Sequence, residues 1–499
     1  MQRVRALAVA TVLALVGVAL AGCSAPRGVP ERAAPDVGIQ LFQLPWTSIA
    51  EECENTLGPN GIAWVLTSPP QEHIVGDEWW VSYQPVSYQL ESRLGTRDEC
   101  AAMVERCGAV GVDIIADAVI NHMTGQDAPG TGWAGSAYEH YEYPGIYAAA
   151  DFHHCGLTDN DDIADYDSEE QVQACELVNL ADLDTGSPAV RETIGAYLDD
   201  LLSLGVAGFR IDAAKHMAAD DVAAIVAALP EGTRIMSEVI RGALEPIQPE
   251  EYVPFGEVFE FSYARDLAPQ LESAMLSDPD LSSERPMHVP EPSAIVFIDN
   301  HDTERGEADI TYRDGARYLL ANALMLADEY GTPVLYSGYA FSDRDAGAPS
   351  EADGAVSPGV CVAEPGPDAS YTDGERTCVQ SWIGIAGMLD WRAVVGVAPR
   401  LPGVNEGDAY GFERQGRGVI AVNPSESEAT IAVPTTMPDG VYCDVVQNGA
   451  AFPGATLAGD GEVAKDCPER ARVSVSDGAA SFTLAPLQAQ AIHLWSRVP

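Results

Sequence analysis

The 499-residue sequence predicts a parallel α/β barrel of eight strand–helix units. A small irregular domain interrupts it after the third strand, and an all-β, Greek-key-like sandwich follows. Three observations carry this reading. Short apolar runs alternate with helical periodicity from residue 37 to residue 395. Three acidic residues, Asp212, Glu238 and Asp302, close such runs in the fourth, fifth and seventh units, where a barrel gathers its working face. Beyond Gly396 the pattern changes to short strands separated by Asn-Pro, Pro-Asp-Gly, Asn-Gly and Asp-Gly turns.

Each element has its own signal. Val37–Leu44 reads as the first strand, and the helix Thr47–Leu57 ends at Gly58-Pro59. Gly61–Thr67 is the second strand. It leads into the loop Asp77–Tyr88, where Trp79, Trp80, Tyr83 and Tyr88 crowd a polar stretch. Such aromatics either form a local core or offer flat faces to sugar rings, whose faces are apolar. The helix Gly95–Val110 precedes the third strand, Val112–Ile120. Residues 123–185 lose periodicity and are too long for an ordinary connection, which marks an inserted domain. Within it the acidic run Asp159–Asp167 lacks the Gly-centred spacing of a calcium loop and reads as a solvated face. Ser187-Pro188 opens the next helix, to Leu204. Gly208–His216 holds the fourth strand and its polar tip, followed by the Ala-rich helix Asp220–Leu229. Thr233–Val239, Glu257–Phe261, Ala294–Asp299 and Pro333–Tyr336 complete the strands, with helices Arg313–Tyr330 and Val379–Val394. The barrel domain is thus 37–122 and 186–395, and the β domain 396–499.

A formal net charge of −49 opposes binding to nucleic acid or anionic membrane and suits a neutral substrate. Lysine occurs only at 215 and 465, so Lys215 inside the polar tip stands out. Arg3, Arg5 and the apolar run Ala6–Leu20 form an export leader. Leu20-Ala21-Gly22-Cys23 resembles a bacterial lipobox, which would lipidate Cys23 and anchor the chain to the cell surface; a plain signal peptide is the alternative. Residues 24–36 read as a flexible tether. With Cys23 set aside, nine cysteines remain, an odd number that leaves one free. Cys155–Cys175, Cys361–Cys378 and Cys443–Cys467 are the nearest pairs, and sequence alone does not fix their connectivity.

Three carboxylates converging on one rim beside aromatic loops suggest glycoside chemistry, in which one acid attacks or activates water and another protonates the leaving oxygen. At this point a resemblance is specific. Asp117-Ala-Val-Ile-Asn-His122, Gly208-Phe-Arg-Ile-Asp-Ala-Ala-Lys-His216, Ser237-Glu-Val-Ile240 and Phe297-Ile-Asp-Asn-His-Asp302 resemble, in order, four motifs of the α-amylase family of glycoside hydrolases, family 13. Leu180-Ala-Asp-Leu183 resembles a fifth. Trp79-Trp80 and Tyr83-Gln-Pro-Val-Ser-Tyr88 are similar to the animal and actinobacterial subgroup.

The resemblance implies a monomeric, endo-acting, retaining hydrolase of α-1,4-glucans. In it Asp212 is the nucleophile, Glu238 the acid/base and Asp302 the group gripping sugar hydroxyls. It implies that Arg210 orients Asp212, that His122 and His301 bind the sugar at the cleavage point, that Trp79, Trp80 and Tyr83 stack on glucose rings, and that Gln84 also binds substrate. Lys215, His216 and Ile240 would line the leaving-group side, and Asp117 would support the network. A structural calcium is implied at Asn121, Asp182 and the carbonyls of Gln173 and His216. Implied bridges are Cys53–Cys107 and Cys155–Cys175, leaving Cys100 free. Arg210 and Asn300 match two chloride-holding positions of some relatives, but Val334 stands at the third, which argues against chloride activation. The glycine-rich loop after the fourth motif is shortened to Glu304–Ala308. Exo-acting or glucanotransferase action on the same fold, and a non-catalytic glucan-binding lipoprotein, are the competing readings.

Overall fold

The computed structural model describes residues 33–277, 287–306, 308–359, 361–449 and 467–498. The leader, Cys23 and residues 24–32 of the tether lie outside them. The barrel strands are β1 (Gly38–Leu41), β2 (Trp64–Leu66) and β3 (Asp113–Ala118) before the insertion. The insertion carries a two-stranded ribbon, β4 (Gly130–Thr131) and β5 (Ala137–Tyr138). The barrel resumes with β6 (Gly208–Ile211), β7 (Arg234–Ser237), β8 (Glu257–Phe259), β9 (Ala294–Val296) and β10 (Thr332–Ser337). All eight are parallel and close in the order β1-β10-β9-β8-β7-β6-β3-β2. Strands covered on both faces are built from nearly continuous apolar side chains, and β1 and β6 are buried at every position, with Gln40 and Arg210 as their polar exceptions. Inside the barrel Trp64, Met236, Phe259, Phe297 and Val334 fill the floor beneath the polar rim.

Several elements differ from the sequence expectation. The first helix does not stop at Gly58-Pro59: a π-helical turn at Cys53–Leu57 carries the chain into one more turn, Gly58–Asn60. Pro59 is tolerated there because it sits in the opening turn, where its missing N–H has no partner to lose. Gly61, at φ 75°, ends it. The strands are shorter than their apolar runs, and β9 stops at Val296, so Asp302 lies on the turn beyond the strand, not at its end. The helix Ser262–Glu272 after β8 is absent from the sequence reading because Pro269 interrupts its periodicity. The helix predicted at Arg313–Tyr330 spans only Ala316–Ala327.

The tail forms two sheets. The first holds β11 (Val404–Glu406), β12 (Ala409–Arg414) and β13 (Gly418–Asn423); the second opens with β14 (Ala429–Pro434), β15 (Gly440–Cys443), β16 (Arg472–Ser476) and β17 (Ala479–Leu484). β18 (Gln488–His493) returns beside β13, and β19 (Arg497–Val498) joins β15. The order β14-β17-β16-β15 is a Greek key. The second sheet alternates buried and exposed residues, whereas β12 and β13 are buried throughout. The reason is a third layer: Trp391, on the helix Ile383–Val395, donates its indole N–H to Ile492 at 2.9 Å.

Cys53–Cys107, Cys155–Cys175, Cys361–Cys378 and Cys443–Cys467 are bonded, and Cys100 is buried and free. The acidic run 159–167 is largely exposed, as a solvated face should be. Among the described residues no helix is long and apolar enough to cross a membrane.

Gly208 opens β6 where a Cβ would stand 2.2 Å from the Arg234 carbonyl oxygen of β7. That neighbour is backbone and cannot step aside. Gly208→Ala is therefore expected to cost about 1–3 kcal/mol or more by overpacking, read as a lower midpoint in denaturant unfolding, with activity falling too because the displaced strands carry Asp212 and Glu238.

Candidate active site

Asp212 follows the last residue of β6, and Glu238 follows the last residue of β7. The turn between Asp212 and the rest of the chain is unusual: Ala213 adopts the left-handed region at φ 48°. For a residue with a Cβ this conformation costs about 1–2 kcal/mol. It is held by two bonds: the Ala213 N–H donates to Glu238 Oε2 at 3.0 Å, and its carbonyl accepts from His216 N–H at 2.9 Å. The turn thus ties one acid to the backbone next to the other.

Arg210 sits in β6 with its side chain 3% exposed. Its Nη1 donates to Asp117 Oδ1 at 2.5 Å and to Asp212 Oδ1 at 2.9 Å. Its Nη2 lies 2.8 Å from Glu238 Oε1 as an ion pair, without a well-aligned N–H. Asp117 also accepts from the Tyr83 hydroxyl at 2.9 Å. Burial raises Asp117 and Asp212 and Arg210 opposes it: Asp117 is pushed up to about 6, and Asp212 well above its usual range. Asp302 is also raised, first by burial and then by the charge of Glu238. Three carboxyls contact one guanidinium, and the charges of their neighbours add to burial in raising Asp117 and Asp212.

The histidines are neutral and oriented. His301 Nδ1 accepts from Gln40 Nε2 at 3.0 Å, so its Nε2–H faces Asp302 Oδ2 at 3.3 Å. Burial lowers its pKa well below the usual value. His122 is lowered to about 4 by burial; Nε2–H donates to the Tyr83 carbonyl at 2.9 Å and Nδ1 accepts from Asn121 Nδ2 at 3.3 Å. Both nitrogens of His122 are thus engaged by protein, and a sugar hydroxyl would have to replace the Tyr83 carbonyl. His216 Nδ1–H donates to the Val172 carbonyl at 3.0 Å.

These groups line one cleft of about 560 Å³. Trp79, Trp80, Tyr83, Gln84, His122, Lys215, His216, Ile240 and His301 all face it with Asp212, Glu238 and Asp302. Arg210 lies beneath. Tyr83 differs from the expected stacking platform: it is 8% exposed, with its ring stacked on His301 at 5.0 Å. It supports the wall. Trp79 meets the His301 ring edge-on at 5.7 Å. Opposite this aromatic set, Lys215 Nζ donates to the Ile240 carbonyl at 2.9 Å and to Glu245, over the Tyr166 ring. Glu245, Tyr166, Leu177 and Val178 also line the cleft and escaped the sequence reading. They lie in loops without periodicity; the signal for Glu245 was that a lysine in so acidic a chain would find a carboxylate.

The four calcium positions are brought together in part. His122 and Asp182 stand opposite each other on adjacent segments, Leu183 N–H donates to the Asn121 carbonyl at 3.0 Å, and the Asn121 side chain bonds Asp182. Gln173 follows Val172, whose carbonyl holds His216. Val334 is apolar and packed in the barrel floor.

Known proteins match this architecture. Residues 65–264 match the alpha amylase catalytic domain, and residues 404–494 the alpha amylase C-terminal all-beta domain. An alpha-amylase of Streptomyces violaceus is 43% identical over 88% of this chain and 74% of its own length. The chain belongs to the α-amylase family. It is similar at 38% identity to an alpha-amylase of Hypothenemus hampei, over 82% of this chain and 85% of that one. Alpha-amylase I of Eisenia fetida, solved as a mutant complexed with maltohexaose, superposes with a TM-score of 0.82 at 30% identity, covering 93% of this chain and 98% of that one. This α-amylase family member is accordingly an enzyme of starch hydrolysis, with the glycoside hydrolase family 13 catalytic domain.

Removing Arg210 leaves buried acids without their cation, which costs about 3–5 kcal/mol. A carboxyl whose folded pKa is raised keeps its full stability contribution below its unfolded pKa and loses it as pH rises through the folded value. Arg210→Met pushes those folded values further up. Its melting-temperature deficit against wild type is therefore expected to be larger at pH 8 than at pH 5, measured by thermal scans across that range.

Proposed function

We propose that this enzyme cleaves α-1,4-glucans internally with retention of configuration. The observation that carries the reading is one guanidinium holding the Asp212 and Glu238 carboxyls together at the floor of the cleft. Asp212, hydrogen-bonded to Arg210, attacks the anomeric carbon as its carboxylate. Glu238 protonates the departing glycosidic oxygen, and the bond between Asp212 and the sugar forms as that oxygen leaves. Glu238 then takes a proton from water, which displaces Asp212 and restores the original configuration. Asp302, with the His301 Nε2–H beside it, grips sugar hydroxyls, and Trp79 and Trp80 stack on neighbouring rings. Lys215 and Glu245 bind the leaving-group side. Interaction sets on both sides of the acid pair let a chain run through the cleft, which favours endo action.

A calcium ion fits Asn121, Asp182, Gln173 and His216. Asn121 Nδ2 is committed to His122, while its buried Oδ1 has no hydrogen-bond partner. Burial pushes Asp182 up to about 7, although the His153 ring partly compensates it at 2.7 Å. A carboxylate, an amide oxygen and two carbonyls would make a hard-oxygen donor set, and no group of three or more His, Cys, Asp or Glu among the described residues could hold a metal instead. The bound ion would supply charge compensation and pin the inserted segment to the barrel. Four disulfides and the N-terminal leader support export, with Cys23 as a lipid anchor.

Two tests follow from these assignments. On soluble amylose, wild type should release a mixed ladder of α-configured maltooligosaccharides, and Glu238→Gln should abolish it. A single short product would replace endo by exo action, and lengthened products would indicate transfer. For the metal, a calcium chelator should lower the melting temperature of wild type but leave that of Asp182→Ala, already reduced, unchanged; an equal response in both proteins would remove calcium from this site.

A further inference from the structure

Arg305 is buried behind the cleft and does not line it. Its side chain is 1% exposed, on the short turn Thr303–Arg305 that follows Asp302. Nη1 donates to the His301 carbonyl at 2.8 Å and to Glu304 Oε1 at 2.6 Å; Nη2 donates to the Tyr339 hydroxyl at 3.1 Å. The guanidinium lies 5.1 Å from the Trp79 ring and 5.3 Å from Phe42, which itself stacks on His301 at 4.8 Å. Burying a guanidinium among aromatic rings needs a return in contacts. Here the contacts converge on Trp79 and His301, which face the substrate.

We propose that Arg305 is a positioning residue for substrate binding. Its planar fork backs the Trp79 indole and clamps the main chain of His301, so the stacking surface and the adjoining Asp302 keep a fixed spacing. Lysine cannot reproduce this: an ammonium is a compact charge without the flat fork that spans the His301 carbonyl, the Tyr339 hydroxyl and two ring faces. The inference rests on the reading of Trp79 and His301 as substrate-binding residues.

The test is kcat and KM on maltoheptaose for Arg305→Met and Arg305→Lys, alone and combined with Trp79→Ala or His301→Ala, at a temperature well below each variant's melting point. Arg305→Met should lower kcat/KM about tenfold to a hundredfold, as small misplacements of binding groups do, mainly through KM. In a background lacking Trp79 or His301 that loss should shrink, because the group it positions is gone. Full additivity in both backgrounds overturns the proposal. Arg305→Lys should recover melting temperature more than kcat/KM; parallel recovery of both would make the residue merely structural and overturn it as well. Should Arg305→Met not fold, Tyr339→Phe, which removes one acceptor of the fork, carries the same cycle with a smaller loss. If Trp79→Ala and His301→Ala themselves leave kcat/KM unchanged, the binding reading fails and this inference with it; if they lower it and only additivity is found, the binding reading stands and this inference alone falls.

Discussion

One buried cation organises the catalytic floor. Arg210 reaches Asp117, Asp212 and Glu238 from the middle of β6, and without it three buried acids at the ends of three neighbouring strands would repel one another. The parallel sheet is what makes the arrangement possible. β3 pairs with β6 so that Asp117 stands beside Arg210, and β6 pairs with β7 so that Ile211 stands beside Ser237, each preceding an acid. Adjacent strand ends in register bring the acids together, and the guanidinium makes that proximity tolerable. The strained Ala213 turn fastens the segments that carry Asp212 and Glu238 directly.

Around this floor the structure works by layers. His301 and His122 are kept neutral by burial and fixed in one tautomer by partners behind them, so their donor nitrogens have set directions. Tyr83 joins the aromatic wall to the acid floor, with its ring on His301 and its hydroxyl on Asp117. The inserted segment completes the opposite side: Val172 holds His216, and Tyr166 and Val178 close over the cleft. A site of this kind depends less on any single contact than on the rigidity of what stands behind each contact.

Much of this was legible in the sequence, for identifiable reasons. Strands buried on both faces leave continuous apolar runs, and acids that follow such runs are conspicuous, so the barrel and Asp212 and Glu238 could be read. The tail sandwich was legible from its turns. What escaped had weaker local signatures. Pro269 masked a helix, and a π-helical turn carried another past Gly58-Pro59, because tertiary packing overrides local propensity. Tyr83 reads as an exposed platform in a polar loop, yet the loop folds inward and uses it as a wall. Glu245 and Tyr166 belong to loops whose positions depend on long-range packing, and Arg305 looks like any surface arginine until four rings surround it.

The division of labour among the carboxyls is the centre of the account, and covalent trapping tests it most directly. The enzyme would be incubated with a fluorinated maltosyl fluoride, whose good leaving group lets the first step proceed while the fluorine slows the second. The labelled peptide would then be sequenced by mass spectrometry. The account predicts one sugar adduct, on Asp212. An adduct on Glu238 or Asp302, or turnover with no adduct at all, would contradict it.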